Sequence, residues 1–256
     1  MLAAEHVSFT YGDAPVLHDV SVAVSHGARV GILGQNGSGK TTLLKLLAGG
    51  LSPSTGTVAL DGAPLSSFAR RALARRIAVV PQDTHPAFAY TALEIALMGR
   101  YPWLGAFEVE GPDDMAAAFD ALEATGTAHL AARSFQTLSG GEKQRVVVAS
   151  ALAQLDQRTG AAGGPAVLVL DEPTTSLDLR YQLEVTNLIR RLHDDRGVTI
   201  LLSTHDLRLA AAVCSHLVLL RSGRLLAAGS TVDMLTPERV AELYEVDRAL
   251  VESLLR

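Results

Sequence analysis

A nine-residue stretch near the start of the chain, Gly34 to Thr42, has the residue types and spacing of a phosphate-binding loop. It reads GQNGSGKTT and matches the pattern G-x-x-x-x-G-K-[ST] between a short apolar strand and a helical pattern. Glycines let the backbone curl until its N–H groups face phosphate oxygens, and the lysine reaches the outer phosphates. We therefore predict contacts with the phosphates of a nucleotide from every residue of the loop: Gly34, Gln35, Asn36, Gly37, Ser38, Gly39, Lys40, Thr41 and Thr42.

An acidic pair, Asp171 and Glu172, follows the apolar run VLVL and lies where a buried parallel strand is expected to end. Open parallel sheets bind their ligands at this edge. Mg²⁺ keeps several waters and takes few carboxylates, so Asp171 and the Thr41 hydroxyl are a sufficient protein contribution to a Mg²⁺ site. Glu172 is then available to orient or deprotonate an attacking water. The alternative is a pair of acids that only faces solvent.

Two more polar residues end apolar strand patterns in the same way. Gln82 follows RRIAVVP, and His205 follows VTILLST. We expect His205 to contact a γ-phosphate and Gln82 to reach Mg²⁺ or the attacking water. With Lys40 and Glu172 they are the candidate catalytic residues, although a lone histidine or glutamine is more often an ordinary core or surface residue.

The segment Ser139 to Glu142, within QTLSGGEKQRV, predicts a second anion site. A serine and two glycines stand directly before a helical run that contains no Gly or Pro. Ser139 is therefore expected to cap the helix, while Gly140 and Gly141 leave backbone N–H groups open to an anion. The chain already has a phosphate loop, which raises the question of what this second site binds.

Apolar patterns predict an α/β fold around these residues. Residues 1–30 alternate apolar and polar, as in a small antiparallel sheet, and HLVLLRSGRLLAAG predicts a hairpin that turns at Ser222 and Gly223. Strand patterns give way to helical ones from 83 to 155, and the tail from 231 to 256 is predicted to be helical. We predict one domain in three parts: residues 1–82 and 165–256 as an α/β core with a mostly parallel sheet and the antiparallel β subdomain, residues 83–155 as an inserted helical subdomain, and residues 156–164 as a surface loop.

Composition argues against several classes of protein. The net charge is −5, which argues against a nucleic-acid-binding surface, and Cys214 is the only cysteine, so no internal disulfide can form and a reducing compartment is expected. No run of roughly 18 apolar residues predicts a transmembrane helix, and the N-terminus lacks the pattern of a signal peptide. Work at a membrane would therefore require a partner.

Taken together, the motifs resemble those of the ATP-binding subunits of ABC transporters, and the resemblance extends over nearly the whole chain. In that family the phosphate loop is called Walker A, and the other motifs fall here on Gln82 (Q-loop), Leu138 to Glu142 (signature), Val167 to Asp171 (Walker B), Glu172 (catalytic glutamate), Ser176 to Asp178 (D-loop) and His205 (switch histidine). Tyr11 matches the aromatic residue that stacks on adenine. The resemblance implies a P-loop NTPase core, with ATP as substrate and Mg²⁺ as cofactor.

The resemblance also answers the question of the second anion site. In this family two ATPase subunits pair head to tail, and each ATP lies between the phosphate loop of one and the signature helix of the other. The ATP-binding set therefore includes Ser139, Gly140, Gly141, Glu142 and Asp178, acting on the ATP of a second subunit. The expected partners are a second copy of this chain, a transmembrane permease and, indirectly, a substrate-binding protein. The expected location is the cytoplasmic face of the membrane.

One segment, EIALMGRYPWLGAFE from Glu94 to Glu108, resembles the GR-x-P segment in importers of iron-siderophores, haem and cobalamin. Trp103 stands where that group often has histidine, and Tyr181 likewise replaces a histidine after the D-loop. The resemblance implies import of a metal chelate. The alternatives are the ATPase subunit of another ABC transporter and, from a different class, a non-transport ABC ATPase that acts on DNA or ribosomes.

Aromatic residues cluster where the helical subdomain begins, at Phe88, Tyr90, Tyr101 and Trp103. Exposed aromatic side chains often anchor protein interfaces. We therefore predict that the permease docks on this subdomain and that Tyr101 and Trp103 are exposed anchors. The alternative is that GRYPW is a helix end that packs inward.

Overall fold

A computed structural model describes residues 1–84, 86–155, 165–175 and 177–254. The predicted surface loop 156–164, and Ser176 of the D-loop, lie outside the described residues. The chain divides into two compact units, one formed by Met1–Ser67 with Thr199–Arg256 and the other by Phe68–Val198. The three-part division expected from the sequence remains a prediction.

The strands and helices follow the predicted patterns closely. The strands are β1 (Leu2–Tyr11), β2 (Ala14–Val24), β3 (Arg29–Leu33), β4 (Thr55–Leu60), β5 (Ala63–Pro64), β6 (Ile77–Val80), β7 (Val167–Asp171), β8 (Thr199–Thr204), β9 (His216–Arg221) and β10 (Arg224–Ser230). The helices are α1 (Lys40–Leu47), α2 (Arg70–Ala74), α3 (Ala92–Met98), α4 (Pro112–Ala124), α5 (Gly140–Gln154), α6 (Leu179–Arg196), α7 (Leu207–Val213), α8 (Thr231–Met234), α9 (Pro237–Tyr244) and α10 (Arg248–Leu254).

The first unit contains two sheets. One is antiparallel, in the order β2-β1-β4-β5, and confirms the predicted N-terminal sheet. In the other, β3 lies between β8 and β9 and runs parallel to both, while β9 and β10 form the predicted hairpin. Ser222 and Gly223 at its turn both have positive φ, of 48° and 72°.

Cys214 is buried beside Gly31 of β3, and burial raises the pKa of its thiol to about 12, so it is an unreactive core residue.

The second unit consists of the parallel pair β6 and β7 with α2 to α6. α3, α4 and α5 pack against one another, and their buried faces are made mostly of alanine, leucine and valine. Small alanines let the three helices approach closely, which explains why this stretch is so rich in that residue. β7 is buried along its whole length, as expected for a parallel strand.

The predicted α/β fold class is confirmed, with differences at two places. The tail is helical, but it forms three short helices because Pro237 starts a new helix after Thr236 and Glu245 ends that helix with φ 56°. The sequence patterns do not predict α7. Asp206 starts this helix by accepting hydrogen bonds from the N–H groups of Arg208 and Leu209. Among the described residues, no helix combines the length and the apolar character needed to cross a membrane.

The first two residues of the GR-x-P segment, Gly99 and Arg100, are buried. Arg100 is 3% exposed; its Nε donates to Asp114 Oδ1 at 2.8 Å and its Nη1 donates to the carbonyl of Ala153 at 2.8 Å. Burial opposes ionisation of Asp114, but the Arg100 guanidinium and the Gly111 N–H outweigh it and hold the pKa of that carboxyl below its usual value. This ion pair ties the end of α3 to the start of α4 and the end of α5.

Trp103 belongs to the same packed cluster, so the prediction that it is an exposed anchor is wrong. Its indole N–H donates to the carbonyl of Gln154 at 2.9 Å, and the guanidinium groups of Arg75 and Arg100 lie 4.6 and 4.9 Å from its ring. The indole therefore holds the helix end in place. Tyr101, in contrast, is 55% exposed, and its role as an interface anchor remains a prediction.

Replacing Asp114 by asparagine removes the charge that pairs with buried Arg100. We expect the free energy of unfolding at pH 7 to fall by about 2 kcal/mol, since hydrogen bonds to charged groups contribute about that much. The lowered pKa means that the stabilisation is present above the unfolded-state pKa of about 3.9 and is lost as the pH falls through the lower, folded-state value. The difference in unfolding free energy between the native chain and Asp114→Asn, measured with urea at pH 7, 5 and about 3.5, should therefore become smaller toward acid pH. Asp113→Asn, at an exposed neighbour, is the control and should stay within about 0.5 kcal/mol; an equal gap at all pH values would mean that charge is not the cause.

Candidate nucleotide site

The predicted phosphate loop joins β3 to α1 in the first unit. Its backbone has positive φ at Gly37 (79°) and at Gly39 (99°), which is the N-cap of α1. Only glycine adopts these angles easily, so the chain can curl here and turn N–H groups inward. Lys40 is 5% exposed, and its Nζ donates to the carbonyls of Gly34 and Gln35 at 3.0 and 3.1 Å. The ammonium group thus lies over the loop that is predicted to hold phosphates.

Gly34 is required by close packing. A Cβ on Gly34 would lie 2.3 Å from the carbonyl oxygen of Leu220 and 2.5 Å from Ser38 Oγ. The loop is held there by a hydrogen bond from the Gly223 N–H to the carbonyl of Ser38, at 3.1 Å. Ser38 is buried, and its hydroxyl has no hydrogen-bond partner among the described residues. A polar atom of this kind suits a site that receives a polar ligand.

His205 leaves the sheet at the same level as the phosphate loop. Leu33, the last residue of β3, pairs with Thr204, the last residue of β8. Because the two strands are parallel neighbours, Gly34 and His205 follow paired residues at one edge of the sheet. The His205 side chain is exposed there. The first unit therefore brings together two of the predicted motifs that are about 170 residues apart in the chain.

Tyr11 is the last residue of β1 and is 48% exposed. Its ring meets the ring of Phe9 edge to face, with the centroids 4.8 Å apart, and Gly12 turns the chain immediately afterwards with φ 56°. A half-exposed aromatic ring of this kind can stack on a base. Stacking on adenine remains a prediction for this residue.

The second unit repeats the same arrangement with β6 and β7. Val80 pairs with Leu170, so Gln82 and the acidic pair both emerge from the carboxyl edge of these parallel strands. Asp171 is 7% exposed at the end of β7, while Gln82 is exposed. Of the predicted Mg²⁺ ligands, Asp171 is the last residue of β7 and Gln82 follows the neighbouring strand β6. Thr41 lies in the first turn of α1 in the other unit.

Glu172 has a strained backbone. Its φ is 45°, a left-handed conformation that is uncommon for a residue other than glycine, asparagine or aspartate. Its carboxylate accepts a hydrogen bond from the Thr175 hydroxyl at 2.9 Å, and its carbonyl accepts one from the Thr175 N–H at 3.2 Å. Strain of this kind costs on the order of 1–3 kcal/mol and is concentrated at functional sites. The observation supports the prediction that Glu172 is the reactive acid.

The start of α5 is an open helix N-terminus, as predicted. The Ser139 hydroxyl caps it by accepting from the Glu142 N–H at 3.4 Å, and the Glu142 carboxylate accepts from the Ser139 N–H at 2.8 Å. The hydrogen bond from the Ser139 backbone is the main reason that the pKa of Glu142 is lowered. The carboxylate of Glu142 is engaged in the cap, and its predicted contact with ATP remains a prediction.

A family model described as ABC transporter matches residues 17–175. This span covers more than half of the chain and includes the phosphate loop, Gln82, the Ser139 segment and the acidic pair. The chain belongs to the ABC transporter family of ATPases. The match does not extend to Tyr11, Asp178 or His205, which lie outside its limits.

Individual relatives of the family resemble the chain over most of its length. The hemin import ATP-binding protein HmuV of Hahella chejuensis is 41% identical over 251 residues, which cover 98% of this chain and 95% of the relative. Among solved structures, a metal-chelate type ABC transporter in an inward-facing conformation is 31% identical with a TM-score of 0.80, covering 94% of this chain and 87% of that one. The bacterial ABC transporter cassette MJ0796, solved as a dimer, is 25% identical with a TM-score of 0.75, covering 90% and 99%.

The signature segment of this ABC ATPase packs against the start of α6. A Cβ on Gly141 would lie 2.3 Å from Cδ1 of the Tyr181 ring, while one on Gly140 would lie 3.5 Å from Leu177 Cδ2, an ordinary contact. One turn further along, Arg145 Nη1 donates to Glu184 Oε2 at 2.6 Å. The open helix N-terminus is therefore fixed in place by α6. In the sequence, Tyr181 differs from the histidine of the resembling importers, but nothing there predicts its contact with Gly141. The only local signal is that Tyr181 lies three residues after Asp178, in the first turn of α6.

Asp178 is the N-cap of α6. Its Oδ1 accepts a hydrogen bond from the Tyr181 N–H at 3.1 Å, and the residue is exposed. The cap sets the direction in which α6 begins and, through it, the position of the Tyr181 ring against Gly141. The predicted contact between Asp178 and the ATP of a second subunit remains a prediction.

Replacing Gly141 by alanine should force the Tyr181 ring to move. We expect the free energy of unfolding to fall by about 1–3 kcal/mol, the usual cost of overpacking. Gly140→Ala is the matched control, with no close contact, and should change stability by less than about 0.5 kcal/mol. Adding Tyr181→Ala should offset part of the Gly141→Ala loss, giving a coupling energy above about 0.5 kcal/mol in a double-mutant cycle measured by urea unfolding. Additive effects would show that the ring is not what excludes a side chain at Gly141.

Proposed function

We propose that the chain is the ATP-hydrolysing subunit of an importer for a metal chelate, with haem as the first candidate. The observation that carries this proposal is the 41% identity to a hemin import ATP-binding protein over 98% of the chain. The inward-facing metal-chelate type transporter, at 31% identity, supports the same class of cargo. In this proposal the chain works at the cytoplasmic face of the membrane and is bound to a transmembrane permease. A substrate-binding protein delivers the chelate to that permease.

Hydrolysis in this proposal depends on positioning and charge, as phosphoryl transfer generally does. The N–H groups of the phosphate loop and the Lys40 ammonium hold the phosphates. Glu172 orients the attacking water and accepts its proton, and its strained backbone fixes where the carboxylate lies. His205 contacts the γ-phosphate, Gln82 senses it, and Tyr11 stacks on the adenine.

The residues proposed to hold Mg²⁺ offer the donors that this ion prefers. The Thr41 hydroxyl, the Asp171 carboxylate and the Gln82 amide oxygen are hard oxygen ligands, and a site with one carboxylate leaves room for waters and phosphate oxygens. When bound, Mg²⁺ neutralises charge on the β- and γ-phosphates. Asp171 is buried at the end of β7, and Gln82 follows the neighbouring strand β6.

Two copies of the chain act together in this proposal. The N–H groups at Gly140 and Gly141 are proposed to serve the ATP of the other copy, and the related cassette MJ0796 was solved as a dimer. Donation of these N–H groups to the γ-phosphate held by the other copy, with Asp178 beside them, would make hydrolysis conditional on closure of the dimer. The Tyr181 ring lies against Gly141 at this helix start.

The permease has a candidate docking surface in the second unit. An open groove of about 510 Å³ is lined mostly by apolar side chains: Val79, Pro81, Asp83, Thr84, Pro86, Tyr90, Ile95, Met98, Val147, Ser150, Ala151 and Gln154. Phe88 is 68% exposed, with its ring edge-on to Tyr90 at 6.0 Å. The groove begins where β6 ends, next to Gln82. A segment of the permease in this groove would therefore be mechanically close to the residue proposed to sense the γ-phosphate.

The alternatives differ in their partners. Another ABC transporter would use the same ATPase chemistry with a different cargo, and a non-transport ABC ATPase would act on DNA or ribosomes. The net charge of −5 favours a transporter subunit over an ATPase that binds DNA or ribosomes.

The proposal is tested in cells that lack this chain. Growth on haem as the only iron source should be lost, and it should be restored by the native chain but not by Glu172→Gln. Normal growth on haem, together with a defect in the use of a ferric siderophore or of cobalamin, would identify that other chelate as the cargo. Normal uptake of all three chelates would contradict the importer proposal.

Glu172→Gln should leave ATP binding intact and slow hydrolysis by roughly 10²-fold or more, because the amide cannot accept the proton of the water. We expect the variant to accumulate as an ATP-bound dimer, measured by size-exclusion chromatography with and without MgATP. Glu123→Gln, at an exposed acid of α4, is the control and should hydrolyse ATP at the native rate. Hydrolysis by Glu172→Gln at the native rate would refute the assignment.

Val79→Glu should weaken docking of the permease, because it places a charge in an apolar groove at a side chain that is already 44% exposed. The variant should remain folded, bind ATP and fail to co-purify with the permease. Val232→Glu, at an 83% exposed valine of the first unit, is the matched control and should co-purify normally. Normal co-purification and uptake with Val79→Glu would exclude the groove as the docking surface.

A further inference from the structure

The C-terminal tail contacts the backbone of His205. The hydroxyl of Tyr244, the last residue of α9, donates a hydrogen bond to the carbonyl of His205 at 3.1 Å. The two residues are 39 positions apart in the chain and belong to the same unit. None of the motifs that define the nucleotide site includes this tyrosine.

The chain on either side of His205 is already held. β8 ends at Thr204, which pairs with Leu33 of β3, and the Thr204 hydroxyl accepts a hydrogen bond from the Asp206 N–H at 3.0 Å. Asp206 then caps α7. The carbonyl of His205 lies between these two anchors, and the Tyr244 hydroxyl fixes the direction of its peptide plane. This peptide plane contains the Cα atom of His205, so its direction constrains the Cα–Cβ bond from which the imidazole extends.

Tyr244 is itself firmly placed. Val240 and Leu243 of α9 are 2% and 0% exposed, so the helix is anchored by burial. The carbonyl of Glu242 accepts a hydrogen bond from Arg221 Nη1 at 2.8 Å, which ties the end of α9 to the end of β9. Glu245 closes the helix in a left-handed conformation, and the Val246 N–H returns to the carbonyl of Ala241 at 3.1 Å. The hydroxyl is thus delivered to His205 by a rigid element.

We propose that Tyr244 is a positioning residue for His205, so that the tail sets the geometry of the γ-phosphate contact. This inference rests on the role proposed for His205 in ATP hydrolysis. Tyr244 acts through the His205 backbone and touches no nucleotide itself. Loss of its hydroxyl should therefore lower the rate of the chemical step and leave ATP binding unchanged.

The test compares Tyr244→Phe with the native full-length chain in a MgATP hydrolysis assay. We expect kcat to fall about three- to tenfold, the kinetic equivalent of one hydrogen bond, with KM for ATP and the melting temperature unchanged. Ser253→Ala removes another hydroxyl of the tail, one that donates to the carbonyl of Leu250 within α10, and should hydrolyse ATP at the native rate. A lowered melting temperature in Tyr244→Phe would assign the hydroxyl to folding and overturn the proposal.

A second pair of variants separates this inference from the function on which it rests. His205→Ala and the double variant Tyr244→Phe/His205→Ala should have the same kcat, because the tyrosine has nothing to position once the imidazole is gone. A further loss in the double variant would show that Tyr244 acts elsewhere. Native kcat in Tyr244→Phe beside a defective His205→Ala would refute only the role of the tail. Native hydrolysis by His205→Ala would refute the proposed role of His205, and with it the inference.

Discussion

The register of two parallel strand pairs is the constraint on which the rest of this structure depends. Leu33 pairs with Thr204 in one unit and Val80 pairs with Leu170 in the other. The two strands of each pair end at the same level. The loops and polar side chains that follow them therefore lie at one edge of the sheet within each unit. Because successive side chains of a strand point to opposite faces, a slip of one residue would reverse every side chain of the strand. The continuous burial of β7 and β8 makes such a slip costly.

Glycine has two separate tasks at the phosphate-binding elements. At Gly37 and Gly39 it permits backbone angles that other residues adopt only with strain. At Gly34 and Gly141 the requirement is space, since a methyl group would collide with a carbonyl oxygen in one case and with a tyrosine ring in the other. The second requirement does not arise from local conformation. It depends on which element lies opposite the glycine in the folded chain.

Buried polar pairs explain why a segment that resembles an importer motif is important for the helices around it. Arg100 and Trp103 join the ends of α3 and α5 and the start of α4 through one ion pair, two hydrogen bonds to carbonyls and ring stacking. A buried arginine without its acid would be strongly destabilising, so the segment has a structural reason to keep these residue types. Its exposed residues are Glu94, Tyr101 and residues 105–108.

The sequence by itself determined the elements whose signals are local. The loop Gly34 to Thr42, the cap at Ser139 and the hairpin turn at Ser222 depend on glycine, capping and turn residues within a few positions, and all three have the expected conformation. The order of motifs was sufficient to indicate the ABC ATPase family. Only the tertiary structure decided that Trp103 is turned inward, that the Tyr181 ring occupies the space beside Gly141, and that Tyr244 meets the carbonyl of His205. These contacts join residues 39 to 51 positions apart, where neighbours are chosen by packing and no local pattern records them.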